Sequence, residues 1–260
     1  MAEAAELLLE GVSLHFGGLA VLTDVSLQSS SPELLALIGP NGAGKTSILN
    51  CISGIYPPSA GRIRLNGQDI VGRKPHVLAA LGLARTFQHG ELFQQLSVIE
   101  NLLVGRHVHM RGSVLSDGLF LPSTRLRELA QREAIEKILN FTELSRYRHD
   151  PVSTLPLGLQ KIVGFARALA MEPKVLMLDE PSAGLNRDGR EDLARYILRI
   201  KHELGIAMIW VEHDMQMVAD LSDRIYVLNN GRYLVDGAPA DVLRDPRVVA
   251  AYLGGGATRE

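Results

Sequence analysis

Apolar and polar positions alternate through LLLEGVSLHF (7–16) and AVLTDVSLQ (20–28), with Gly17-Gly18 between the two stretches. A period of two predicts a pair of half-buried strands, each with one face toward a core. LLALIG (34–39) is apolar throughout and ends in glycine, the pattern of a strand buried on both faces. RIRLNGQDI (62–70) and RIYVLNNGRYLVDG (224–237) each place Asn-Gly between alternating runs, so both read as hairpins. VLMLDE (175–180) and IAMIWVEHD (206–214) are further buried strands that end in polar residues.

Between about 73 and 150 the period changes. Leu126, Leu129, Ala130, Ala134, Ile138 and Phe141 recur at helical spacing. Residues 106–127 are less regular and carry Arg106, His107, His109, Arg111, Arg125 and Arg127, which fits either a solvated loop or a docking surface. Helical stretches follow near 159–171, 188–203 and 215–221, and PADVLRDPRVVAAYLG (239–254) predicts short terminal helices. Strands that alternate with helices imply a mostly parallel α/β core.

Candidate chemistry sharpens this picture at two places. GPNGAGKT fits G-x-x-x-x-G-K-[ST], follows a buried strand and precedes an amphipathic stretch. The backbone of Gly39, Pro40, Asn41, Gly42, Ala43 and Gly44 can wrap phosphates closely, and a following helix adds positive charge from its N-terminus. Lys45 is expected to reach the β- and γ-phosphates, Thr46 to bind Mg2+, and Ser47 to bond the α-phosphate. Asp179 and Glu180 stand at a strand end, where α/β sheets bind ligands. Asp179 suits Mg2+, and Glu180 suits a general base aimed at water.

The expected fold class is therefore α/β. A single domain over 1–260 has a phosphate-loop core with a mostly parallel sheet, an N-terminal antiparallel β subdomain, and a helical subdomain at roughly 73–160. That subdomain is inserted between the phosphate loop and the Asp-Glu strand.

Composition narrows the class. The chain has 260 residues, 46% hydrophobic and 22% charged, with a formal net charge of −2. That length buries roughly 70–75% of the unfolded surface without disulfides. The charge balance argues against a nucleic-acid partner. The single Cys51 cannot form an internal disulfide and reads as a packed small side chain, which fits a reducing compartment. No apolar run reaches the roughly 18 residues of a membrane span, and the N-terminus lacks a secretory pattern, so a cytoplasmic protein is expected.

With these motifs in this order, nearly the whole chain resembles the ATP-hydrolysing subunit of an ABC transporter. The resemblance implies that Gln88 in ARTFQ contacts Mg2+ or water and senses the membrane partner. It implies that His213 in VEHD contacts the γ-phosphate, that Phe16 stacks on adenine, and that SAGLN (182–186) links the sites of two subunits. It also makes LPLGLQK (155–161) a modified signature segment that meets ATP on the partner ATPase subunit. There Leu155 and Gly158 match the usual pattern and Gln160 follows one position late. Pro156 stands where a serine hydroxyl is usual, and Asn186 stands where aspartate is frequent.

ARTFQ, SVIENLLVGRH (97–107), the 108–130 insertion, AGLN (183–186) and AYLG (251–254) resemble the ATPases of importers for branched-chain and related hydrophobic amino acids. ATPases of urea or amide importers and of lipopolysaccharide exporters are similar. This implies ATP and Mg2+ as cofactors, and as partners integral permease subunits, a second ATPase subunit and, indirectly, a solute-binding protein. The expected location is peripheral, on the cytoplasmic face of the membrane. An ATP-binding regulatory subunit with weak hydrolysis is the competing reading, motivated by Pro156.

Overall fold

The computed structural model describes residues 5–86, 92–109 and 122–254, the side chains of 122–128 and 254 excepted. The chain opens with strands β1 (Glu6–Phe16), β2 (Leu19–Ser30) and β3 (Leu34–Ile38), followed by helix α1 (Lys45–Ile52). Next come β4 (Ala60–Leu65), β5 (Gln68–Asp69), α2 (Pro75–Ala80) and β6 (Leu83–Thr86). Helices α3 (Val98–Arg106), α4 (Pro122–Phe141) and α5 (Leu157–Leu169) precede β7 (Val175–Asp179). After it run α6 (Arg187–Arg199), β8 (Ala207–Val211), α7 (Met215–Leu221), β9 (Arg224–Asn229) and β10 (Arg232–Gly237). Short helices α8 (Pro239–Val242) and α9 (Pro246–Gly254) end the described chain.

Two sheets form. One is antiparallel, in the order β2-β1-β4-β5; the other has the order β10-β9-β3-β8-β7-β6. In the second, β9, β3, β8, β7 and β6 run parallel and only β10 is antiparallel, so the expected architecture is found. Both Asn-Gly turns are present, with Asn66, Gly67, Asn230 and Gly231 all at positive φ as a tight two-residue hairpin turn requires.

The apolar strands separate two cores because neighbouring side chains leave opposite faces of a sheet. Leu35, Leu37, Met177, Ile209 and Val211 pack with α1 and the antiparallel sheet. Leu34, Ala36, Leu178, Met208 and Trp210 pack beneath α5, α6 and α7. Each such fully buried large side chain contributes about 1.5–3 kcal/mol. A third cluster, with Leu102, Ile135, Leu139, Leu155 and Val163, forms the helical subdomain.

Two sequence expectations need correction here. Strand β6 lies inside the 73–160 range yet pairs with β7 in the main sheet, so the helical subdomain starts after it. Four residues at a sheet edge leave too short a period to read from sequence. The stretch at helical spacing is helix α4 as expected, and among its described side chains Ile135 and Leu139 are buried whereas Leu129 is 54% exposed. The other correction is Arg106, which is neither solvated nor free for docking. It is 5% exposed, donates to Glu172, Gln131 and the Ala170 carbonyl, and lies where Gly105 brings α3 against α5. A Cβ at Gly105 would fall 2.4 Å from the Arg167 carbonyl oxygen, so only glycine permits this approach. Arg111 lies outside the described residues.

Candidate functional site

Strands β3, β8 and β7 are parallel neighbours, so the segments that leave their C-terminal ends share one edge of the sheet. From β3 comes the loop 39–44, from β7 the pair Asp179–Glu180, and from β8 the pair Glu212–His213. The sheet order thus gathers the phosphate loop and the expected carboxylates and histidine along one edge of the sheet, although they are far apart in sequence.

The loop is built by backbone geometry. Gly39, Gly42 and Gly44 all have positive φ, and a Cβ at Gly39 would lie 2.1 Å from the Leu228 carbonyl oxygen. Gly44 caps α1 with no side-chain acceptor, so the N–H groups at the helix head are left for a ligand. Ala43 is buried and anchors the loop by accepting from the Gly231 N–H, while Asn41 and Gly42 are exposed. Lys45 is nearly buried and donates to the Gly39 and Pro40 carbonyls at 2.7 and 3.0 Å. Burial pulls its ammonium below the ordinary lysine range, and the charges of Glu180 and Asp179 oppose that shift. Thr46 is exposed and Ser47 half-buried on the first turn of α1.

Asp179 is 5% exposed, and its Oδ2 accepts from Arg85 Nη2 at 2.7 Å. Glu180 departs from the strand at φ 47°, a left-handed conformation that costs a non-glycine residue energy and is held by its N–H bond to the Val211 carbonyl. Its Oε1 lies 2.9 Å from His213 Nε2. With the proton on Nε2, the imidazole donates to the carboxylate and fixes its direction.

Glu212 was not singled out by sequence reasoning. It is 2% exposed and accepts from the Ser182 N–H and hydroxyl at 2.8 Å each and from the His213 N–H at 3.0 Å. One buried carboxylate therefore ties the turn after Glu180 to the segment that carries His213. Arg190 adds a second tie by donating to Asp214, the N-cap of α7. The sequence signals were an acidic residue at the end of an apolar strand and, for Arg85, a lone arginine in an apolar edge strand.

The 155–161 segment heads α5. Leu155 is buried in the helical core, Pro156 and Leu157 are exposed, and no side chain caps the helix. Gln160 turns back to donate to the Leu155 carbonyl at 2.8 Å, and Thr154 donates to the Pro151 carbonyl at 2.7 Å, so neither replaces a serine hydroxyl at Pro156. Pro156, Leu157, Gly158, Gly184 and Asn186 line one cleft of about 400 Å3. Asn186 caps α6 by accepting from the Gly189 N–H at 2.9 Å, a bond aspartate makes equally well. Phe16 is 48% exposed and meets Tyr56 edge-to-face at 5.1 Å, leaving ring surface open. Gln88 lies outside the described residues, in the segment that follows β6.

These residues fit a nucleoside triphosphate with a hard divalent cation. The uncapped helix head, the positive-φ glycines and the buried lysine suit phosphates. Thr46 and Asp179 supply oxygen donors, and among the described residues no three acidic, histidine or cysteine side chains gather into a metal cage. A sparse oxygen set of this kind is how Mg2+ is held together with substrate phosphates. Tyr252, beside Gly39 at the end of α9, is 37% exposed, and partial burial pushes its phenol up.

Residues 22–183 match the family model described as ABC transporter, and residues 234–258 match the one described as branched-chain amino acid ATP-binding cassette transporter. The chain is 39% identical over 247 residues to the high-affinity branched-chain amino acid transport ATP-binding protein BraF of Pseudomonas aeruginosa, covering 94% of this chain and 96% of that one. Identity and coverage are the same for LivG, a protein of the same description in Escherichia coli. The crystal structure of the ADP conformation of MJ1267, an ATP-binding cassette of an ABC transporter, is 30% identical with a TM-score of 0.83, covering 96% of this chain and 99% of that one.

Proposed function

We propose, on the premise that this chain belongs to the ABC transporter ATPases, that it powers uptake of branched-chain or related hydrophobic amino acids through a membrane permease. The chain is an ATP hydrolase of the ABC type. The amino acid reading draws support from the relatives' descriptions and from the C-terminal match over 234–258.

The observation that carries the catalytic reading is the Glu180–His213 contact on the same sheet edge as the phosphate loop. In this reading Lys45 and the loop N–H groups hold the β- and γ-phosphates, Ser47 bonds the α-phosphate, and Phe16 packs on the adenine. Thr46, Asp179 and Gln88 would hold Mg2+, which would supply charge neutralisation for the phosphates. Glu180 orients water in line with the γ-phosphorus and takes its proton, and His213 fixes Glu180 and steadies the γ-phosphate. The uncapped head of α5, with Pro156 and Gly158, faces the γ-phosphate on a partner ATPase subunit, so closure of two subunits completes each site. The segment around Gln88 carries that closure to permease subunits at the cytoplasmic face of the membrane, where a solute-binding protein delivers the cargo.

The test is to purify the chain with its membrane subunits, reconstitute them in vesicles, and add the binding protein with leucine, isoleucine or valine. The expected result is ATP-dependent amino acid uptake with hydrolysis raised by the loaded binding protein. ATP hydrolysis without uptake of any of these would overturn the cargo assignment, and a complex that binds ATP without hydrolysing it would favour the regulatory-subunit reading.

A further inference from the structure

Arg85 connects two elements that the proposed metal site needs in fixed relation. Its side chain is 6% exposed. Nη2 donates to Asp179 Oδ2 at 2.7 Å, while Nη1 donates to Asn50 Oδ1 at 2.7 Å and Ser53 Oγ at 3.3 Å. Asn50 lies four residues after Thr46 on α1, one turn further along the same helix face. Arg85 is opposite Met177 in the β6–β7 ladder, and Met177 and Asp179 leave the sheet on the side that packs against α1. The planar fork of one side chain thus spans from the carboxylate at the end of β7 to the helix that carries the threonine hydroxyl.

We propose that Arg85 is a positioning residue for Mg2+: it sets the separation of Asp179 from Thr46, and so the divalent-cation affinity of the nucleotide site. An arginine buried only for stability is a weak device, since apolar side chains of the same volume do as well. A fork with fixed geometry does what an apolar side chain cannot, because it directs one carboxylate oxygen while gripping a second element. Oδ2 is held by Arg85, and the opposite oxygen of Asp179 is left for the cation.

This inference rests on the MgATP reading above, and the experiment separates the two. ADP is titrated calorimetrically into the full chain, first in EDTA and then across a Mg2+ series, for the native protein, Arg85→Lys and Asn50→Ala. Lysine keeps the charge but cannot grip Asp179 and Asn50 together. Arg85→Lys is expected to raise the Mg2+ concentration for half-maximal tightening at least tenfold and to leave ADP affinity in EDTA within twofold. Asn50→Ala, which frees the other arm of the fork, is expected to raise the same midpoint about threefold. A midpoint within twofold of native in the variants overturns the proposal, as does an equal loss of affinity in EDTA, which marks general damage to the phosphate loop. Should Arg85→Lys not fold, Asn50→Ala decides by the same criterion. A native protein with no Mg2+ response at all overturns the MgATP reading and this inference with it.

Discussion

His213 Nε2 meets Glu180 Oε1 at 2.9 Å across the ends of two neighbouring parallel strands. The pair joins the residue at φ 47° after β7 to the residue two positions beyond β8, so imidazole and carboxylate are held by separate elements of one rigid sheet. If His213 fixes Glu180 for attack by water, His213→Ala slows ATP hydrolysis by about 10²-fold, the usual scale for a lost acid–base or electrostatic group. ATP affinity should stay within a few-fold of native. Single-turnover phosphate release checks this, and a rate within threefold of native would remove His213 from the chemistry.

Glu212 serves this pair from behind. Glu212→Ala leaves the Ser182 N–H, the Ser182 hydroxyl and the His213 N–H without their buried acceptor. An unsatisfied buried donor costs about 1–3 kcal/mol, so a loss of about 2–5 kcal/mol in unfolding free energy is expected. Glu212→Gln keeps one acceptor oxygen and the volume, and should lose less than half as much. Urea unfolding of both variants measures this, and equal losses would show that the acceptor geometry does not matter.

Pro156 is exposed at the head of a helix that no side chain caps, and Thr154 is committed elsewhere. If the head of α5 meets a partner's phosphate as proposed, Pro156→Ser supplies a hydroxyl and an N–H toward it. A charge-assisted bond of about 1.5–3 kcal/mol corresponds to tenfold or more in rate. Turnover of the assembled dimer should therefore rise by several-fold to tenfold. Unchanged or lower turnover would show that the missing hydroxyl does not limit the rate.

Cys51 is buried in the last turn of α1, and burial pushes its thiol up to about 11. The folded state therefore keeps its proton over a range where the unfolded thiol, near 9, has lost it. Folded protein then binds more protons than unfolded, so this group's contribution to stability is full below about pH 9 and is lost as pH rises toward 11. Cys51→Ala should flatten the alkaline fall in stability between those limits. Native protein should also resist a thiol reagent at pH 8, reacting with one equivalent only after unfolding. Prompt reaction of native protein would contradict the buried assignment.

How much of this was legible follows from how local each signal is. The phosphate loop declares itself because its glycines, Lys45 and Thr46 are consecutive, and the Asn-Gly hairpins because two residues fix each turn. Trp210 and its neighbours read as buried on both faces because the whole run is apolar. Arg85, Glu212 and Arg106 were not legible in the same way. Each is a charged residue whose role depends on a partner 30 to 94 positions away in sequence. Strand β6 was hidden for a related reason, since four residues declare a strand only once β7 lies beside them. The cue that remained was a charge inside an apolar strand for Arg85 and directly after one for Glu212, where desolvation demands a partner.

The most direct test of the account compares phosphate release from MgATP by the native chain and by Glu180→Gln, at saturating nucleotide and equal subunit concentration. The substitution preserves shape and removes the proton acceptor. The account predicts a fall of about 10²–10⁴-fold in turnover with ATP affinity kept within about threefold. Turnover in Glu180→Gln within a few-fold of native would show that water is activated elsewhere and that this strand-end carboxylate is not the base.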